Sequence, residues 1–264
     1  MVELSGPDGL DPGTSPIPPF PRPELVDWYH ITLETPARNL ALDEILLHQV
    51  DESPSRAILR TWEPVEHFVV VGRSNQVDTE VDVEQCRAEG VPIFRRSSGG
   101  GAVLVGPGCL AYALALPLTL ELKALGVAVV TRLVMETIAS SLKSVLPEVV
   151  VRGTSDMVVN DRKFSGNSQR WLKNAFLHHG TVLYDFDLAR IGRALKPPSR
   201  EPDYRTHRPH SDFVMNVPVS RDAVLNGLVS AWEAHPAECS HDAIQQTMDL
   251  ARSRYEQDAW NRER

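Results

Sequence analysis

Three consecutive glycines in Arg95-Arg96-Ser97-Ser98-Gly99-Gly100-Gly101-Ala102-Val103 punctuate the chain between two apolar runs, Val91 to Phe94 and Ala102 to Val105. Contiguous glycine weakens a helix or strand interior, so the run reads as a loop that leaves one short strand and enters another. Such a loop lets backbone approach a ligand closely and point amides at an anion. Arg95 and Arg96 add charge and forked donors suited to phosphate or carboxylate. A flexible hairpin turn would carry the same glycines, so the run needs support from elsewhere. It is not a Walker loop, because no Gly-Lys-Ser/Thr follows. Nor is it a dinucleotide fingerprint, because the glycines are contiguous and lead into strand-like residues.

The 264 residues, 42% of them hydrophobic, suffice for one α/β domain with a substantial core. Residues 1–24 read as a flexible lead-in, since Ser5 to Pro23 concentrates Pro and Gly with few large apolar groups, and residues 25–264 read as one domain. A net charge of −8 argues against a protein whose main task is gripping nucleic acid. No stretch reads as long and apolar enough to span a membrane, and Met1 to Pro23 lacks a signal-peptide pattern. Cys86, Cys109 and Cys239 are too few and too scattered for a disulfide framework or a metal-ligand spacing, which fits a reducing cytoplasm.

Apolar residues at helical spacing predict a first helix over Pro36 to Val50, with Leu40, Leu47 and Val50 on one face. Strands are expected at Ala57 to Trp62 and Phe68 to Val71, then a helix over Val83 to Glu89 closed by Gly90. Beyond the glycine loop a strand is expected at Leu110 to Leu116, so the sheet should be built mostly of hairpins. A longer helix should start after Gly126 and end at Pro147, which has no amide hydrogen to donate. Strand signals return at Asp156 to Val159, Lys163 to Gly166 and Phe176 to Leu183, with a turn at Asn160-Asp161. Lys196 to Asp212, rich in proline and basic residues, reads as an exposed crossing segment. Two helices should follow, with Ser220 and Ser240 as N-caps.

A second chemical cluster is Arg162-Lys163-Phe164-Ser165-Gly166-Asn167-Ser168-Gln169-Arg170, followed by Leu177-His178-His179-Gly180-Thr181. A lysine ammonium against a small Ser-Gly pair can polarise a carbonyl and neutralise a phosphate. A solvated surface lysine is the plainer reading of Lys163 taken alone. His178 and His179 lack a third ligand at metal spacing, and one of the two should alternate inward along a strand into a hydrogen-bonded structural role.

Taken in order, several segments resemble the lipoate-protein ligase A and octanoyltransferase family, whose catalytic domain is related to biotin protein ligases. They are Asn39-Leu40-Ala41-Leu42-Asp43-Glu44, Val71-Gly72-Arg73, the Ser-Gly-Gly-Gly-Ala-Val run and Ser155-Asp156-Met157-Val158-Val159. Arg162-Lys163-Phe164-Ser165-Gly166, His178-His179-Gly180-Thr181 and Trp260-Asn261 complete the set. The resemblance implies an α/β fold with a mixed, largely antiparallel sheet flanked by helices and an apolar acyl tunnel beside the glycine run. It implies that Lys163 is catalytic, contacting the acyl carbonyl or phosphate. Arg96, Ser98, Gly99, Gly100, Gly101 and Ala102 would line the acyl and adenylate site, with Gly72 and Arg73 at its wall. Asp156 and His179 would position the site, and Ser165, Gly166, Gly180 and Thr181 would complete it. No resident metal is implied.

Ligases of this family join lipoate or octanoate to ATP with Mg²⁺ and pass the acyl group to a lysine of a lipoyl carrier domain. That carrier is of the 2-oxoacid dehydrogenase E2 or glycine cleavage H protein type. Transferases take the group from a carrier thioester or a lipoylated protein, often through an enzyme cysteine, and Arg152 to Asp156 and Pro197 to Val217 hold none. Cys109 is the one cysteine near the glycine run and the candidate acyl acceptor if the transferase route holds. Missing nucleophiles favour the ligase. Some full-length ligases of the family carry a C-terminal accessory domain, so either a separate accessory chain is a further partner or the compact form suffices. A catalytically silent binder of lipoyl compounds would have lost Lys163 or the glycine run, and a biotin ligase would show Gly-Arg-Gly in place of Ser-Gly-Gly-Gly.

Overall fold

Apolar alternation and turn residues divide the chain into short strands, and a computed structural model describes residues 20–198 and 200–262 of it. The expected lead-in lies outside the described residues as far as residue 19. Phe20, five residues ahead of the expected boundary at Leu25, is buried edge-on against Trp232 and Phe176, so the packed unit takes it in.

The order begins β1 (Val26–His30), α1 (Pro36–Glu52), β2 (Ala57–Trp62), β3 (Phe68–Val71), α2 (Val77–Glu80) and α3 (Val83–Ala88). In α1, the Thr35 side chain caps the helix by accepting from the Arg38 amide at 3.3 Å, and Pro36 sits where no amide partner is needed. Leu40, Leu47 and Val50 are buried as their spacing requires. The order continues with β4 (Ile93–Arg95), β5 (Val103–Val105), β6 (Cys109–Pro117) and α4 (Leu120–Leu142). It then runs β7 (Val150–Arg152), β8 (Asp156–Val159), β9 (Arg162–Trp171), β10 (Ala175–Leu183), α5 (Ala189–Ala194) and α6 (His210–Phe213). The last elements are α7 (Arg221–Ala231), β11 (His235–Pro236), α8 (His241–Leu250), a π turn at Ala251–Tyr255 and α9 (Asp258–Asn261). Ser220 and Ser240 cap α7 and α8 through their hydroxyls.

Eight strands form one sheet in the order β11-β1-β2-β6-β10-β9-β8-β7, and β4-β3-β5 form a second. The pairs β11-β1, β1-β2 and β3-β4 are parallel and the others antiparallel. The sheet is thus mixed and largely antiparallel, but the hairpin expectation holds only for β7 through β10. β6 pairs with β2 and β10, because β3, β4 and β5 separate into the small sheet.

Two expectations for α4 need correction. A short helical stretch opens at Leu120, capped by Thr119, and Gly126 at φ 77° divides it from the longer helix, which begins after that glycine as expected but ends at Leu142, ahead of Pro147. The 23 residues of α4 are also long and apolar enough to cross a membrane by length and composition. Their apolarity is used in packing: Val130, Leu133, Val134, Ile138 and Leu142 belong to the same buried cluster as Leu114, Leu116 and Phe164 of the sheet.

Candidate active site

The glycine loop leaves β4 and enters β5, and both arginines at its root fold it from within. Arg96, 7% exposed, donates from Nε to the Ser98 hydroxyl at 3.0 Å and from Nη2 to the carbonyls of Gly99 and Gly101 at 2.6 and 2.9 Å. Burial lowers its pKa to about 10, still charged at neutral pH. Arg95, fully buried, donates to the carbonyls of Gly72 and Asn75 at 2.8 Å each. A Cβ on Gly72 would overlap the Gly100 carbonyl oxygen, and Gly100 itself has φ 88°. Glycine is therefore needed on both sides of this contact. The Arg73 amide donates to the Ser98 carbonyl at 2.7 Å while its guanidinium stacks on Trp260, 4.5 Å from the ring centre.

Opposite the loop, the β8–β9 hairpin turns through Asn160 and Asp161, both at positive φ, and brings Lys163 back over Gly166. Lys163 Nζ pairs with Asp156 Oδ1 at 2.7 Å, and Tyr204 donates its hydroxyl to Asp156 Oδ2 at 2.8 Å. Asp156 thus holds the lysine head with one oxygen and a chain crossing with the other. Ser165 is buried under Asn167, which donates to its hydroxyl at 3.2 Å, and Ser168 donates to the Gly99 carbonyl at 2.8 Å, tying β9 to the glycine loop.

Strand alternation sends the two histidines of β10 to opposite faces. His178 is the inward one: fully buried, with Nδ1 against the Gln169 amide at 3.0 Å and its pKa pushed down to about 3 by burial and by His179. His179 places Nε2 2.6 Å from the Ser98 hydroxyl and Nδ1 3.9 Å from Asp43 Oδ2. Asp43 in turn accepts from Arg60 at 2.6 Å, and Asn39 accepts from the same guanidinium at 2.5 Å. Glu44, next along α1, accepts from Arg170 at 2.5 Å, Arg254 at 2.9 Å and the Tyr255 hydroxyl at 2.6 Å. Despite burial, His48, Tyr255 and Arg170 hold its carboxyl well below the usual range.

These pieces surround one cavity of about 910 Å³. Leu40, Trp62, Val70, Leu104, Ala111 and Leu183 give part of its wall an apolar surface. Another part carries Lys163, Asp156, Arg96, His179, Gly180 and Thr181, with Gly100, Gly101, Ala102, Ser165 and Gly166 between. Ser98 and Gly99 bind the loop to His179 and β9 from behind. The segment from Lys196 to Asp212 is largely exposed, as expected, and one side of it also completes this wall. Leu195 bridges to Val81, Lys196 donates to the Glu80 carbonyl at 3.0 Å, Val214 bridges to Lys163, and Arg205 is 5% exposed. Its prolines and cations gave no signal for this lining role, because the partners that hold the segment and its flanks lie on other elements. Asp43, Glu44, Tyr204, Arg205 and His210 were missed as site residues for the same reason.

Cys109 opens β6 with no exposed surface, and burial pushes its thiol up to about 12 despite the neighbouring Thr181 hydroxyl. A thiol held protonated and enclosed is poorly suited to accept an acyl group, which weighs against that expectation. Among the described residues no group of three His, Cys, Asp or Glu is arranged to hold a metal.

Residues 35–221 match the family described as the lipoyl protein ligase A/B catalytic domain. A provisionally named lipoate-protein ligase A of Aeropyrum pernix is 33% identical over 200 residues, covering 76% of this chain and 72% of that protein. A counterpart from Mycoplasma genitalium is 31% identical over 160 residues, 61% of this chain, and the match spans only 46% of that relative's length. The fold is shared with a bipartite lipoate protein ligase from Thermoplasma acidophilum, at TM-score 0.75 and 21% identity over 90% of this chain and 96% of that one. It is shared equally with a lipoate-protein ligase A solved with ATP, at TM-score 0.74 and 21% identity over 90% and 98% of the two chains. By a match over more than half of its length, the chain belongs to the lipoyl protein ligase A/B catalytic-domain family.

Proposed function

We propose that this chain attaches lipoate or octanoate to a lysine of a lipoyl carrier domain by way of an acyl-adenylate. The observation that carries the reading is the Lys163–Asp156 pair, which shares one partly apolar cavity with the glycine loop. The apolar wall suits an eight-carbon acyl chain, the loop's backbone suits a phosphate, and Lys163 lies where a positive charge would stabilise the developing oxyanion and the leaving phosphate. A volume of about 910 Å³ accommodates both an acyl chain and a nucleotide. Mg²⁺ accompanying ATP takes most of its oxygens from phosphates and water, so it needs no three-residue protein site.

The partner is read as a carrier of the E2 or H protein type. A solved relative of like fold is described together with its E2 lipoyl domain, and as bipartite, which also supports an accessory chain here. Three unpaired cysteines agree with a reducing cytoplasm. The burial of Cys109 favours the ligase over the transferase alternative.

The deciding experiment is pyrophosphate release from ATP with lipoate or octanoate, with and without a lipoyl acceptor domain, for the wild type and Lys163→Ala. Acid-dependent release lost in a folded Lys163→Ala protein supports the ligase. Acyl transfer from an octanoyl carrier thioester without pyrophosphate release would replace it with the transferase.

A further inference from the structure

A histidine that the acyl-transfer reading leaves without a task stands on the same cavity wall as Lys163. His210 is the first residue of α6, on the segment held against β9 by the Lys163–Val214 bridge and by the Met215 amide donating to the Lys163 carbonyl at 2.9 Å. It lines the main cavity and also a smaller cleft toward α5.

Other proton acceptors on the cavity wall are engaged. His179 Nε2 lies against the Ser98 hydroxyl, Asp156 binds Lys163 and Tyr204, and Asp43 binds Arg60. Glu201 pairs with His207 at 2.5 Å, and buried Glu80 is also partnered. The imidazole of His210 makes no hydrogen bond among the described residues.

We propose that His210 takes the proton released when the carrier lysine amine attacks the activated acyl carbon, a role that rests on the acyl-transfer reading of the site. The amine nitrogen forms a bond to the acyl carbon, and the bond from that carbon to the leaving phosphate oxygen breaks. The oxygen departs with the electron pair, and the nitrogen's surplus proton passes to an imidazole nitrogen of His210 and then to water.

Charge around the ring favours the form this step needs. Burial, Arg205 from the turn before α6 and Lys163 from β9 lower its pKa to about 4, so at neutral pH the lone pair is open. Asp212 shares α6, Glu201, His207 and Arg208 share the smaller cleft, and α5 offers that cleft only Ala189 and Gly192, which do not titrate. An acyl phosphate beside Lys163 would offset the cationic pressure and raise the proton affinity of the ring as the reaction begins.

Attack by hydroxylamine leaves a nitrogen whose surplus proton is far more acidic than that of an alkylamine, so water suffices as its acceptor, and this difference provides the test. For His210→Gln we expect transfer to the carrier lysine to fall about 100-fold while capture of the acyl group by hydroxylamine falls less than about threefold. In His210→Ala, added imidazole should restore part of the lysine transfer. Equal losses toward both nucleophiles, or no loss toward either, would overturn the role. Failure of the wild-type protein to acylate either nucleophile would overturn the acyl-transfer reading and this role together, whereas the role alone fails if the wild type acylates both and the two rates stay in proportion in the variants.

Discussion

Gly72 and Gly100 are locked against each other, the carbonyl oxygen of Gly100 filling the space a side chain on Gly72 would need. Gly100 cannot readily yield, since its own φ of 88° is one that other residues avoid. Gly72→Ala should therefore displace the glycine loop. We expect a loss of about 1–3 kcal/mol in stability from overpacking, read from urea midpoints, and loss of acyl transfer. A variant with wild-type activity would show that the contact is not needed for the site.

Cys109→Ala should leave acyl transfer intact. The thiol is enclosed and protonated, so its removal costs packing alone, about 1 kcal/mol. Transfer assayed beside a melting curve separates the two effects, and an inactive but folded variant would reinstate the cysteine as an acceptor.

Asp156→Asn should harm catalysis more than Tyr204→Phe. Asparagine leaves Lys163 without its counter-charge, whereas phenylalanine removes a hydrogen bond from a carboxylate that still binds the lysine. Hydrogen bonds to charged groups contribute about 1.5–3 kcal/mol, so kcat/KM for Asp156→Asn should fall roughly 10- to 100-fold. The reverse ranking would place the function of Asp156 in holding Tyr204.

Acid should weaken the fold through His178. Its folded pKa of about 3 lies below the ordinary 6.5, so between those values the unfolded chain binds a proton that the native state refuses. Stability from this group is complete above about pH 6.5 and falls as pH drops toward 3, by at most about 1.4 kcal/mol per pH unit. Urea midpoints at pH 7 and pH 5 should differ less in His178→Gln than in the wild type. An identical pH slope in the two would assign the acid sensitivity elsewhere.

Local patterns carried much of this architecture. β2, β3 and β8 have the expected bounds, and Ser220 and Ser240 cap the helices they precede, because alternation and capping are written in adjacent residues. The pairing of Lys163 with the glycine loop followed from an ordered set of motifs rather than from either motif alone. What stayed hidden depends on distant partners. Asp43 looks like a helix-surface carboxylate until Arg60 and His179 are beside it, and Arg205 looks solvated until Phe213 lies under its guanidinium, 4.8 Å from the ring centre. Arg96 pointed to a ligand by its charge, yet its donors are spent on the loop's own carbonyls.

The outer edge of β4 is met by α9 in place of another strand. The Arg95 amide donates to Asn261 Oδ1 at 2.9 Å, and the Trp260 indole donates to the Arg95 carbonyl at 2.8 Å, across 166 and 165 positions of sequence. A contact that remote closes a long loop and is entropically disfavoured early in folding. The root of the glycine loop should therefore become rigid only after the β6-β10-β9-β8-β7 part of the large sheet, whose pairings are more local, has formed. In refolding, the far-ultraviolet circular dichroism of the sheet should recover first, and the ability to bind an acyl chain should return behind it.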